Sequence, residues 1–273
     1  MTQQYSPAGF RLLPPVVKNL LIINALFFLA TLSFKSTFGI DLEKMLGLYY
    51  FRSDLFQPYQ FVTYMFIHAD FWHLTFNMFA LWMFGYLLEN VWGPKRFLTY
   101  YMLTGIGAGI AQTIVQLWSM SSMEAAAVAY NQTPSLDSFV ILVNHHFPHY
   151  YSTLQTFIIA WTSSPQSPEF TQQSLSYVHQ LVQLGMNVPT IGASGAVYGI
   201  LLAFGMMFPN MLVYLYFLVP IKAKWIVIGY FAIELFYGIS NNPNDNVAHF
   251  AHMGGMIFGL FLILFWRKRS FRH

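Results

Sequence analysis

An all-α protein built from membrane-crossing helices is the fold class this sequence predicts, and three observations predict it. Of the 273 residues, 56% are hydrophobic and only 8% are charged, whereas a soluble domain carries about a quarter. The mean hydropathy is +0.48, and the apolar runs approach the ~20 residues that cross a hydrocarbon core. The pattern lacks the alternating ten-residue segments of a membrane barrel. Backbone groups in lipid must bond internally, so helix is the expected spanning element. With no cysteine in the chain, disulfide and thiol chemistry are excluded.

The elements follow in order. Residues 1–16 read as a short lead with Arg11 and Pro14-Pro15, expected on the cytoplasmic side; three prolines and no apolar core argue against a cleaved signal peptide. A first span is expected from Val17 to Phe34. Residues 35–62 mix charges with aromatics such as Tyr49-Tyr50-Phe51, which suits a loop lying in the membrane interface. Further spans are expected at Tyr64–Leu88 and Phe97–Trp118, joined across Gly93-Pro94. Between them and a fourth span that starts at Ser194 lies a segment, 119–193, rich in Ser, Thr, Gln and Asn and broken by Pro134, Pro148, Pro165 and Pro168. It reads as a large outer loop between helices 3 and 4, carrying one or two amphipathic helices; its apolar stretch 151–161 is too short to span. Residues 211–224 are amphipathic. A fifth span follows at Trp225–Tyr237, then a turn at Ser240–Asn246. A sixth span ends at Trp266, and 267–273 form a basic tail.

Six spans place both termini on one side. Ten of the 13 lysines and arginines fall there, and only Lys35, Lys44 and Arg52 fall on the other. By the bias of basic residues this side is the cytoplasm, and the expected location is a bacterial inner membrane with both termini cytoplasmic. The formal excess of +3 is an orientation signal rather than a nucleic-acid footprint.

Polar groups inside spans are costly and each needs an account. Ser194 stands at the first turn of the fourth span, in Gly192-Ala193-Ser194-Gly195. By itself this reads as an N-capping serine on a small-residue packing helix. A histidine inside the sixth span, in Ala251-His252-Met253-Gly254-Gly255, changes the weighing. Gly195 and Gly199 on one helix, and Gly255 and Gly259 on the other, form two small-residue faces on which the helices could touch. A neutral imidazole would then reach the hydroxyl and activate it as a nucleophile. His249, a turn nearer the surface, reads as an interfacial polar residue. In the second span His73 and Asn77 share one helix face. With the Ser194 N–H they suit an oxyanion hole, and equally well a polar clasp between helices. Among His145, His146 and His149, Pro148 breaks the helical register that a metal site would use.

These three elements, His73-xxx-Asn77, Gly192-Ala193-Ser194-Gly195 and Ala251-His252-Met253-Gly254-Gly255-xxx-Gly259, resemble the signature motifs of the rhomboid family of intramembrane serine proteases, in that family's order and on its second, fourth and sixth spans. The resemblance covers about 60–270, apart from the long loop. It implies a Ser194 nucleophile and a His252 base, a dyad without a carboxylate. It also implies oxyanion stabilisation by His73, Asn77 and Ser194, with Tyr198 packed against the histidine and structural roles for His68 and Glu89. Many bacterial members carry Trp-Arg where this chain has Tyr59-Gln60, so no role is carried over there. The implied substrates are transmembrane segments of other proteins in the lipid bilayer, and no metal or organic cofactor is implied. The 119–193 insertion, on the face where substrate would enter, is expected to cap or gate the site. His-Glu-x-x-His is missing, and none of the five aspartates lies inside a span, which argues against metallo- and aspartyl intramembrane proteases. A catalytically silent, client-binding relative is the alternative reading.

Overall fold

In the computed structural model, residues 10–215, 219–240 and 247–270 are described. The start of the lead, most of the expected 240–246 turn and Arg272 lie outside them. Helix α1 (Pro15–Phe38) opens with proline at its first position, where no N–H is required, and stops at Gly39, whose φ of 67° lets its N–H turn back to Phe34. Glu89 closes the open end of α1 from outside. Its carboxylate accepts the N–H groups of Val16 at 2.9 Å and Val17 at 2.8 Å. Helices α2 (Leu42–Leu46) and α3 (Gln60–Thr63) lie in the connection between α1 and α4. Buried Gln60 is its hub, accepting from Gln57 N–H and donating to the carbonyl of Leu55.

Asp70 caps α4 (Phe71–Trp92) by accepting the N–H of His73 at 2.8 Å. Gly93, with φ 78°, and Pro94 then start α5 (Pro94–Gln132) in a new direction. After α6 (Leu136–His146), α7 (Tyr151–Ser163) and α8 (Pro168–Met186) comes α9 (Ser194–Met207). The amphipathic stretch after it forms an antiparallel hairpin of β1 (Leu212–Leu215) and β2 (Val219–Lys222). Helices α10 (Ala223–Ser240) and α11 (His249–Ser270) complete the chain.

Among the described residues, three helices are long and apolar enough to cross a membrane: α1, α10 and α11 over His249–Lys268. The other expected spans differ for reasons of length and polarity. Helix α9 has 14 residues, about 21 Å of rise against a core of about 30 Å. Helix α5 runs on past the expected end at Trp118 to Gln132, mixes Thr, Gln, Ser and Tyr with its apolar residues, and joins the second core through Met123, Ala127 and Tyr130. Helix α4 carries His73, Asn77 and Glu89 among its apolar residues.

Two cores organise the described residues. The larger is centred on α9, where Ala196, Val197, Ile200, Leu201, Ala203 and Phe204 are buried, with α4, α5, α10 and α11 packed around it. The second lies in the segment read from sequence as a loop with one or two helices. There α5 continues to Gln132, and α6, α7 and α8 pack around Phe139, Leu154, Trp161, Val178 and Leu181. The polar composition hid a helical stripe: Ser174, Val178 and Leu181 are buried at i, i+4 and i+7 on α8. Arg52–Glu124 at 2.7 Å and Ser53–Asn187 at 2.6 Å tie this second core to the connection between α2 and α3.

Candidate active site

The chain entering α9 is held by backbone bonds before any side chain acts. Leu48 and Thr190 exchange N–H···O bonds at 2.9 and 2.8 Å, and the Gly192 N–H reaches the carbonyl of Tyr64 at 2.9 Å. The Tyr64 hydroxyl in turn donates to the carbonyl of Gly105 on α5 at 2.7 Å. Gly192 has φ 120°, and a Cβ there would lie 2.8 Å from the His73 ring. The position therefore needs glycine both for its backbone and for the imidazole against it. Ser194 follows as the first residue of α9, where the N–H groups of the opening turn have no partner within the helix and carry its positive end.

Helix α11 brings His252 to this point. Its Nε2 lies 2.7 Å from Ser194 Oγ, and its ring stacks on Tyr198 with centroids 4.3 Å apart and planes 10° from parallel. Glycines make this approach possible, though not as the sequence implied. A methyl group on Gly255 would overlap the Gly195 carbonyl, so α9 and α11 touch backbone to backbone at that pair. Gly199 and Gly259 instead both face α5, against Thr104 and Tyr100, and the Tyr100 hydroxyl donates to the Gly199 carbonyl at 2.9 Å. Helix α5 is thus the wedge that sets the spacing of the other two.

His73 lies beside Gly192, and buried His68 packs edge-on to it at 5.1 Å. Asn77 is buried, and its amide N–H is donated to the His73 carbonyl at 2.8 Å; in this arrangement it satisfies its own helix. Glu89 stands at the far end of α4, with the basic groups Lys95 and Arg96 and the end of α11 at Trp266 gathered around a cavity there.

Sequence reasoning passed over Glu234 on α10. Its side chain is 6% exposed. Oε1 accepts from the Tyr198 hydroxyl, while Oε2 lies 2.6 Å from His249 Nδ1 and 3.0 Å from His252 Nδ1. His249 is accordingly a partner of Glu234, with 12% of its side chain exposed, a contact the sequence reading did not anticipate. The available signal was a lone carboxylate inside the fifth span, the kind of residue whose cost in a membrane demands a partner. Among the described residues, Glu234, His249 and His252 are also the one group with metal-ligand character.

A serine hydroxyl on an imidazole at a helix start, beneath a stacked tyrosine, is an arrangement able to generate a nucleophile. A rhomboid domain profile matches residues 55–131 and 141–269. The chain belongs to the rhomboid family. It is 23% identical over 257 residues to the mitochondrial RHOMBOID-like protein 12 of Arabidopsis thaliana, covering 94% of this chain and 60% of that protein. An uncharacterized mitochondrial rhomboid protein of Schizosaccharomyces pombe is 24% identical over 230 residues, 80% of this chain and 55% of its own. The mitochondrial Rhomboid protein 1 of Saccharomyces cerevisiae is 35% identical over 86 residues, 31% of this chain and 24% of its own. The chain thus spans about 60% or less of these relatives. They overturn the expected bacterial inner membrane, because these rhomboids are mitochondrial. The charge asymmetry behind that expectation ranks the two faces of a membrane and carries nothing about which membrane it is.

Proposed function

We propose that this rhomboid is an intramembrane serine endopeptidase in which Ser194 attacks the scissile carbonyl and His252 accepts its proton. Rhomboid membership supports an intramembrane protease or rhomboid-like function acting on membrane proteins in the bilayer. The observation that carries the catalytic reading is the 2.7 Å contact between Ser194 Oγ and His252 Nε2. Such a contact is within reach for a general base, and the parallel Tyr198 ring limits imidazole rotation. The developing oxyanion would be met by the Ser194 N–H at the positive end of α9 and by the His73 ring across Gly192. Asn77 holds the turn of α4 from which His73 projects, and joins the hole on release of its own backbone bond. Helices α1, α4, the first part of α5, α9, α10 and α11 form the six-helix membrane body (17–266). The 119–193 insertion is a helical cap on the face from which Ser194 is reached, and Arg267 and Lys268 extend α11 at the opposite end. A substrate helix must unwind to present its carbonyl, which favours small or helix-breaking residues near the cut.

The test is covalent labelling of purified, detergent-solubilised protein with a fluorophosphonate. Wild type should label, and Ser194→Ala and His252→Ala should not. A folded wild type that resists labelling defeats the protease reading and leaves the silent client-binding one.

A further inference from the structure

Resting on that protease reading, the geometry points to Glu234 as a third, positioning member of the site, which we propose turns the Ser194–His252 dyad into a charge-supported triad. Three side chains converge on this carboxylate: the Tyr198 hydroxyl on Oε1, and His249 Nδ1 and His252 Nδ1 on Oε2. It comes from α10, a different helix from both the serine and the histidines, so no local turn geometry produces the cluster.

The proton inventory sets the direction of the argument. To accept from Ser194 Oγ at 2.7 Å, His252 Nε2 must be bare, which leaves the ring proton on Nδ1. That Nδ1 is buried, and the oxygen facing it at 3.0 Å is Glu234 Oε2, although the contact lies off the axis of a linear hydrogen bond. Charge attraction tolerates this angle better than a hydrogen bond does. When the Oγ proton passes to Nε2, His252 becomes a cation 3.0 Å from an anion, in a place with little water to screen it. Glu234 stays ionised throughout: one proton moves from Oγ to Nε2, and none reaches the carboxylate. The same carboxylate fixes the stack, because the Tyr198 hydroxyl bonded to it belongs to the ring lying on His252.

The spacing favours protons over a metal ion at this cluster. Ligand atoms about 2.0–2.1 Å from a tetrahedral zinc stand roughly 3.3 Å apart. Here the His249–Glu234 and His252–Glu234 separations are 2.6 and 3.0 Å, the distances of groups in direct contact.

The experiment measures the rate and the saturation constant of fluorophosphonate labelling. In that reaction Oγ–P forms, P–F breaks, fluoride leaves, and the Oγ proton passes to His252. Wild type, Glu234→Gln, Glu234→Asp and His249→Gln are compared in detergent, each with its thermal midpoint. Glu234→Gln keeps the shape and removes the charge. Its maximal rate should fall about 100-fold, in the range of lost acid–base assistance, with the saturation constant unchanged and the fold intact. Glu234→Asp should regain part of that loss, and His249→Gln, which leaves the carboxylate beside His252, should lose less than Glu234→Gln. A Glu234→Gln rate within twofold of wild type overturns the proposal. So does a loss that Asp does not relieve and that tracks a lowered thermal midpoint, since Glu234 would then be packing only. A wild type that does not label defeats the protease reading and the triad together.

Discussion

Two buried carboxylates, at opposite ends of the same bundle, do different work because of what binds them. Glu89 and Glu234 are 2% and 4% exposed. At the basic end, Glu89 accepts two backbone N–H groups from the open start of α1. At the serine end, Glu234 meets a phenol and two imidazoles. Backbone amides neither gain nor lose protons, so the Glu89 end is a fixed joint. Imidazoles do, so the charge at the Glu234 end can respond to a proton moved by chemistry. An ionisable group deep in a helical bundle therefore announces function only when its partners can themselves titrate.

Changing the two residues should separate stability from reactivity. The largest effect is expected from Glu89→Ala, which leaves the Val16 and Val17 N–H groups without acceptors and should lower unfolding free energy by about 3 kcal/mol. Thermal unfolding in detergent measures this, and fluorophosphonate labelling per folded molecule should hold. A Glu89→Ala protein that stays stable but stops labelling would erase the contrast between the two ends. A smaller effect is expected from Tyr198→Phe, which keeps the stack on His252 and removes the hydroxyl on Glu234. One hydrogen bond to a charged group is worth about 1.5 kcal/mol, so labelling should slow about tenfold with little change in melting. An unchanged rate would mean that the stack alone orients the imidazole. The smallest effect is expected from Arg52→Met, which cuts an exposed ion pair between the α2–α3 connection and α5. Exposed pairs contribute at most about 1 kcal/mol, so the melting shift should be slight and should fade with added salt. A large shift would show that the second core depends on that tie.

The parts of the site legible in sequence were those carried by short motifs. Ser194 at a helix start, His252 three and seven residues before Gly255 and Gly259, and His73 four residues from Asn77 are local spacings, and helical periodicity turns such spacings into shared faces. What escaped was assembled from distant segments. Glu234 lies 36 residues from Tyr198 and 15 from His249, with no periodicity to link them. The helices of the insertion escaped because serine, threonine and glutamine mask an apolar stripe that only packing of α6, α7 and α8 against one another reveals. The pairing of glycines escaped for a similar reason: small residues permit close approach, and the placement of α5 decides which helix approaches.

By itself the sequence determined a helical membrane-associated chain, a candidate serine and histidine for nucleophilic chemistry, and small residues that permit helices to approach closely. Those follow from hydropathy and residue spacing, which act along the chain. The tertiary structure alone decided that α5 wedges between the glycine faces, that the insertion folds around its own core, and that a carboxylate from α10 stands behind the histidine. These depend on which helices become neighbours, a choice made by side-chain packing across the whole bundle and not encoded in any one segment.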